Sequence, residues 1–343
     1  MAPVEDDISI EEKRVYAARA GRTDAYVAAE MGVVRVAISG DVIGEFELAT
    51  REPARDLAVL DRAGEPGTIA VAADGKLLVG RLIGPDGSIG SNDAAEADDA
   101  TRASDSIDLT AVDGVEPPVA VGVHDGSFLV ASRTGSVSHV RVAGGWEGGH
   151  AEEAAISTER LGTVAEPRAV DGPLVAGEDG VHRVVDDARG ARIEPVGLQD
   201  VRDVAGAGIP LAATSEGLYW LANGWMNALA GSFDAVAADG DGHAMAAGRG
   251  TLFVRTETTD ANATGGETVR GWSADAWTEA TLPTDGRVAA LGYGPGLSIA
   301  VTDDGTVCVD AGDGWRHRSV GVPGVTGVAL TTVDADVAER AAR

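Results

Sequence analysis

Asp200–Gly231 reads DVRDVAGAGIPLAATSEGLYWLANGWMNALAG. It divides at Gly, Asn and Asp into four segments of strand length, rich in Val, Leu, Ile and aromatics. Four short strands in succession joined by tight turns predict an antiparallel meander. The stretch from Arg287 to Val320 answers it segment by segment as RVAALGYGPG, LSIAVTDDG, TVCVDAGDG and WRHRSV, and the stretch from Pro117 as PPVAVGVHDG, SFLVASRTG, SVSHVRVAGG and WEGG. Weaker copies begin near Arg14, Ala54, Glu166 and Phe233, which makes seven copies in 343 residues, about 49 residues each. Four strands at a period of roughly 40 to 50 residues is the pattern of propeller blades. A single blade leaves two apolar faces exposed, and closing the ring buries them. The expectation is an all-β chain, one β-propeller over residues 1–343 with seven blades of four antiparallel strands, six or eight being the alternative counts.

The turn chemistry agrees with the repeat. Asn223-Gly224-Trp225, Asp313-Gly314-Trp315 and Gly144-Gly145-Trp146 precede or open the fourth strands. Asn-Gly and Asp-Gly accept the positive φ of a two-residue hairpin turn, and a Trp recurring at one blade position fits packing between blades better than an aromatic binding platform.

Two segments compete for the innermost strand of the first blade, KRVYAARAG from Lys13 and VTGVALTTV from Val325. The N-terminal one is preferred because it carries an arginine where other blades do. Two stretches interrupt the blades. Gly84–Ser106, GPDGSIGSNDAAEADDATRASDS, has too few large apolar residues to order itself and reads as a mobile acidic loop. Thr256–Gly271 reads as a similar inter-strand loop, and Asp334–Arg343 as a C-terminal tail with a turn or two of helix.

Asp and Glu exceed Lys and Arg by 28, and the only lysines are Lys13 and Lys76. The acids are spread over every blade, which fits a surface screened by molar salt better than one patch built for a basic partner. A lone cysteine, Cys308, excludes an internal disulfide. MAPVEDDISIEEKRV carries acids where a signal peptide needs bases, and no 18 apolar residues stand together, so a soluble cytoplasmic protein without a membrane partner is expected. Asn262-Ala263-Thr264 matches a glycosylation acceptor, which lacks meaning without export.

The blade starts ARDLAV at Ala54 and VRDVAG at Val201, together with KRVYAARAG, YVAAEMGVVRV and VIGEFEL at Val42, carry a family likeness. The chain resembles, over nearly its whole length, an uncharacterised family of haloarchaeal β-propeller proteins. The resemblance implies a propeller fold and a salt-rich cytoplasm, and it transfers no catalytic residues.

One constellation suggests binding. Aligned blade starts place Arg14, Arg55, Arg168, Arg202 and Arg287 at one level, with Asp56, Asp203 and Asp234 beside them as acidic partners. Innermost strands line the central channel, so these arginines predict a ring near its mouth whose planar paired donors suit a carboxylate or phosphate. The competing reading is structural, each Arg bridging to the Asp of the next blade. The six histidines, His124, His139, His150, His182, His243 and His317, show no metal-ligand spacing; only His124 approaches the axis and the others are expected at surfaces or turns. Asp239-Gly240-Asp241-Gly242 and Asp303-Asp304-Gly305 look calcium-like but lack the remaining loop ligands. No catalytic, metal or cofactor motif is present, and the charge disfavours nucleic acid. Three function classes follow: a non-enzymatic scaffold with a protein partner, which is preferred; a binder or sensor of an anionic small molecule at the arginine ring; and a propeller hydrolase or lyase.

Overall fold

The computed structural model describes residues 22–62, 67–82, 107–143, 146–147, 150–151, 156–255 and 270–333. Seven four-stranded antiparallel sheets are arranged as seven blades, and helix is confined to two single 3-10 turns among the described residues. Counting from the inside outward, the first complete run in chain order is Ala54–Leu60, Thr68–Ala73, Lys76–Arg81 and Leu109–Val112, which forms blade 2. Blades 4 to 7 have innermost strands Ala169–Asp171, Val201–Ala205, Ala235–Ala238 and Val288–Gly294.

Blade 1 is closed by the C-terminal segment. Val325–Val333 is its innermost strand and pairs antiparallel with Arg22–Ala29, which is followed by Gly32–Ser39 and Val42–Thr50. This corrects the preference for Arg14–Ala20, which lies outside the described residues. Val325 is buried, Val328 and Leu330 pack against the same apolar cluster, and pairing runs along the whole strand with one bulge at Thr326. The two ends of the described chain therefore share one sheet, and the ring is locked by hydrogen bonds instead of by packing alone.

Blade 3 departs from expectation at its outer edge. Its inner strands are Pro118–His124, Ser127–Ser132 and Ser136–Val142, but the fourth is Ile156–Thr163. Trp146–Glu147, expected to be that strand, instead pairs with His150–Ala151 in a separate two-stranded hairpin. The periodicity of the inner strands gave no warning of this hairpin.

The core consists of seven apolar clusters, one at each seam between blades. Period-two alternation distributes residues of one strand to two seams. Ile69 and Val71 pack toward blade 1, whereas Ala70 and Ala72 pack toward blade 3; Met245 faces blade 7, whereas Ala244 and Ala246 face blade 5. Second strands are therefore buried on both faces, as Thr68–Ala73 and Ser127–Ser132 are along their whole length, while the outermost Arg316–Ser319 is exposed throughout. Cys308 lies within one such seam. Hydroxyls at the ends of three second strands, Ser132, Thr214 and Thr302, accept from the amides of Ser136, Gly217 and Thr306 and so fasten the turn that follows each. The acidic stretch 84–106, residues 256–269 with Asn262, and the tail 334–343 lie outside the described residues.

Candidate functional site

The innermost strands surround an axial channel of about 720 Å³. Five of them carry a bulge at the same place, where one residue is left without a partner on the second strand: Thr326, Arg55, Val119, Arg202 and Ala289. Arg168 and Asp234 occupy this level in blades 4 and 6, because each donates its amide to the second strand next to the equivalent pair, Ala169 with Ala176 and Ala235 with Ala247. A bulge re-aims its extra side chain, and here Arg55, Arg168, Arg202, Asp234, Ala289 and Thr326 line one mouth of the channel.

Three of the expected arginines thus meet at one level. Arg287 does not; it stands two residues before the bulge position, which Ala289 fills, and it does not line the channel. Asp234 takes the arginine position itself and is not a neighbour of it. Arg14 lies outside the described residues.

The residues at this level reach to the next blade in a common pattern. Thr326 Oγ1 donates to the carbonyl of Ala54 at 3.0 Å, Arg168 Nη1 to that of Val201 at 3.3 Å and Arg202 Nη1 to that of Phe233 at 3.5 Å. In each case the acceptor precedes the bulge position of the following blade. Arg168 also pairs with Asp200 at 2.6 Å, and Arg202 with Asp234 at 2.6 Å and Ser232 Oγ at 2.8 Å. Arg55 pairs with Asp74 of its own blade at 3.2 Å, and Arg287 with Asp303 at 3.5 Å and Asp234 at 4.0 Å. Each described arginine of the set has a carboxylate partner, while the side chains of Arg55, Arg168 and Arg202 remain 47%, 31% and 34% exposed, enough for further donors to meet solvent.

One residue deeper, Asp56 accepts from the amide of Val121 in the next blade at 2.9 Å, and Asp203 from that of Val236 at 2.8 Å. Each also accepts from the amide of its own successor, Leu57 or Val204. Asp171, two positions further in, repeats the device by accepting from Gly206 at 2.6 Å. Gly327 makes room for the first of these, because a Cβ there would come 2.8 Å from Asp56 Oδ1. Protein crowds the three carboxyls, although each keeps some surface on the channel. Burial, against the pull of the amides, pushes Asp56 and Asp203 up to about 7, with smaller contributions from the charges of Asp203 and Asp171 on Asp56 and of Asp171 on Asp203; burial likewise raises Asp171. Asp171 escaped the sequence reading because Asp171-Gly172 looks like an ordinary turn pair.

At the opposite mouth the channel is lined by Asp239, Asp241 and the Tyr293–Gly296 turn. Asp239 accepts from the amides of Asp241 and His243 and pairs with His243 Nδ1 at 2.6 Å, so the calcium-like motif is a self-bonded turn. Among the described residues no group of three or more His, Cys, Asp or Glu is placed to hold a metal ion.

The tryptophans that open fourth strands sit between blades. Trp225 Nε1 donates to the carbonyl of Val196 in blade 4 at 2.9 Å, and Trp315 packs against the cluster between blades 6 and 7. His139 and His182 are buried, contrary to the surface role expected of them, and His124 does not line the channel. Both ring nitrogens of His139 lack a partner among the described residues, at a cost of about 1–3 kcal/mol for each unsatisfied group. Burial, with Arg141 and His124 next, lowers the His139 pKa; burial and then Arg183 oppose the charged form of His124, against Asp125, and the net shift is downward.

A family model for HVO_0234-like β-propellers matches residues 9–331. The chain belongs to that family. The HVO_0234-like propeller also shares its fold with solved structures at low sequence identity. A functionally unknown protein from Desulfotomaculum acetoxidans DSM 771 superimposes with a TM-score of 0.55 at 10% identity, covering 90% of this chain and 98% of that one. YCF48 bound to D1 peptide superimposes with a TM-score of 0.51 at 13% identity, covering 84% and 95%. No curated protein matches the sequence.

Proposed function

We propose that this propeller is a non-enzymatic scaffold that docks a protein partner at the arginine-bearing mouth of its channel. The observation that carries the reading is the convergence of Arg55, Arg168 and Arg202 at one level, part-exposed, on a chain whose net charge is −28. Each guanidinium is paired with one carboxylate yet keeps part of its surface exposed at the mouth, and guanidinium forks suit a further carboxylate. An acidic or carboxylate-ended peptide segment is the matching occupant. The fold shared with YCF48, described bound to D1 peptide, supports peptide docking as a use of this architecture. No helix among the described residues is long and apolar enough to cross a membrane. The charge and the resemblance together favour a salt-rich archaeal cytoplasm as the setting.

A second reading is favoured by the channel itself, whose volume of about 720 Å³ falls in the range of small-molecule pockets. In that reading the same arginines hold an anionic metabolite. Tagged wild type and an Arg55→Gln/Arg168→Gln/Arg202→Gln variant, used to capture partners in molar KCl with mass spectrometry of proteins and small molecules, separate the two. A stoichiometric protein lost from the variant supports the scaffold. An anionic metabolite lost from it supports the ligand binder. Capture that is indifferent to the three substitutions overturns both.

A further inference from the structure

His124 and His139 lie on different strands of blade 3, and the ladder brings them to one face. Leu129 is opposite Gly122 on one side and His139 on the other, so all three share a face; His124, two residues beyond Gly122, shares it too. That face is turned to blade 4, where a Cβ on Gly122 would strike the Val170 carbonyl at 2.7 Å. The imidazole centroids are 5.7 Å apart, with ring planes inclined by 37°. His139 is 4% exposed and neither of its ring nitrogens has a partner among the described residues. His124 ends its strand and is part-exposed, so it stands between His139 and solvent.

A buried imidazole with two unmatched nitrogens beside a second imidazole is a donor set in search of an acceptor. A metal ion about 2.0–2.1 Å from an imidazole nitrogen lies roughly 3.2 Å from the ring centre, so two rings sharing one ion have centres about 5–6.5 Å apart. The observed separation falls inside that interval. Imidazole nitrogen is a ligand of copper and zinc and a poor one for magnesium or calcium. We propose that His124 and His139 together bind one late first-row metal ion, copper(I) or zinc(II), at the seam between blades 3 and 4, with solvent completing the coordination where the ion requires it. This site is separate from the channel and does not depend on the arginine mouth.

The full chain, stripped with a chelator and returned to molar KCl, is titrated with zinc(II) and, anaerobically under reductant, with copper(I), against a chromophoric competitor. The expected result is one ion per chain, at least tenfold weaker in His124→Ala and at least a hundredfold weaker in His139→Phe, with the imidazole nitrogens of both histidines shifted in ¹⁵N NMR of the loaded wild type. His124→Ala is the safer variant, because the residue is part-exposed at a strand end; circular dichroism confirms that the blades persist. The tighter ion names the metal. Weak, multi-site binding by surface carboxylates that His124→Ala leaves unchanged, or loaded protein in which neither imidazole shifts, overturns the proposal.

Discussion

Arg202 and Asp234 occupy the same position in successive blades and form an ion pair of 2.6 Å across the seam. Arg202 also donates to Ser232 Oγ and to the Phe233 carbonyl, so it holds the entry of blade 6 at three points. Exposed pairs of this kind contribute about 0.2–1 kcal/mol, and less as salt rises. Asp234→Asn is therefore expected to cost less than about 1 kcal/mol, and Arg202→Ala more, because it removes the neutral contacts as well. Urea unfolding at 0.2 and 2 M KCl checks this: the Asp234→Asn effect shrinks with salt and the Arg202→Ala effect persists in part. Equal effects at both salts would show that the charge is irrelevant.

Closure of the ring by Val325–Val333 carries a sharper expectation. A chain ending at Gly324 loses every hydrogen bond to Arg22–Ala29 and the burial of Val325, Val328 and Leu330, each apolar side chain contributing roughly 1.5–3 kcal/mol when fully buried. It also leaves the inner edge of Arg22–Ala29 without its partner. The thermal transition followed by circular dichroism is expected to fall by more than about 5 °C or to lose cooperativity, given roughly 1–2 °C per kcal/mol when unfolding entropy scales with a chain of 343 residues. Unchanged melting would mean that the N-terminal segment can take the slot.

The blades were legible because their second strands are buried on both faces, which compels runs such as Thr68–Ala73 and Leu211–Thr214 between Gly-bearing turns. Ring closure was not legible for the opposite reason. The bulge position tolerates Thr326, Arg55, Val119, Arg168, Arg202, Asp234 and Ala289, and all of these except Val119 border the channel, where size and polarity are less restricted than in a seam. An arginine at Arg14 therefore carried no information about which segment closes the ring. Arg287 was misaligned by two residues because the blade 7 position is filled by Ala289, which has nothing in common with Arg55 or Arg202 that a sequence comparison could match. The pairing of His124 with His139 depends on two ladders meeting at Leu129, a register that no local spacing encodes.

Trp225 tests how a repeated aromatic stabilises the ring. Its indole packs on the cluster between blades 4 and 5 and its Nε1–H meets the Val196 carbonyl. Trp225→Phe is expected to cost about 1 kcal/mol, chiefly the hydrogen bond. Trp225→Ala is expected to cost about 2–4 kcal/mol, less than for a fully buried ring because one side of the indole is exposed. Denaturant unfolding of both variants decides it; a neutral Trp225→Ala together with lost partner binding would make the residue a contact platform instead of a wedge.

The channel carboxyls give stability an unusual pH dependence. Asp203 is pushed up to about 7 in the folded protein, above the ordinary carboxylate value of about 4. Between those values the folded chain holds a proton that the unfolded chain releases, so this contribution is complete below about pH 4 and is lost as pH rises through about 7. The gap corresponds to at most about 4 kcal/mol, reduced in practice by channel water. Depressed carboxyls such as Asp200 and Asp304 act in the opposite sense, so the effect is read as a difference between variants. Asp203→Asn keeps an oxygen for the Val236 amide and removes the ionisation. Unfolding free energies measured from pH 5 to pH 8 in constant molar KCl should show the wild-type advantage over Asp203→Asn declining steadily with pH. A difference that stays flat or grows would mean that Asp203 is ionised throughout, held by its two amides despite the crowding around it.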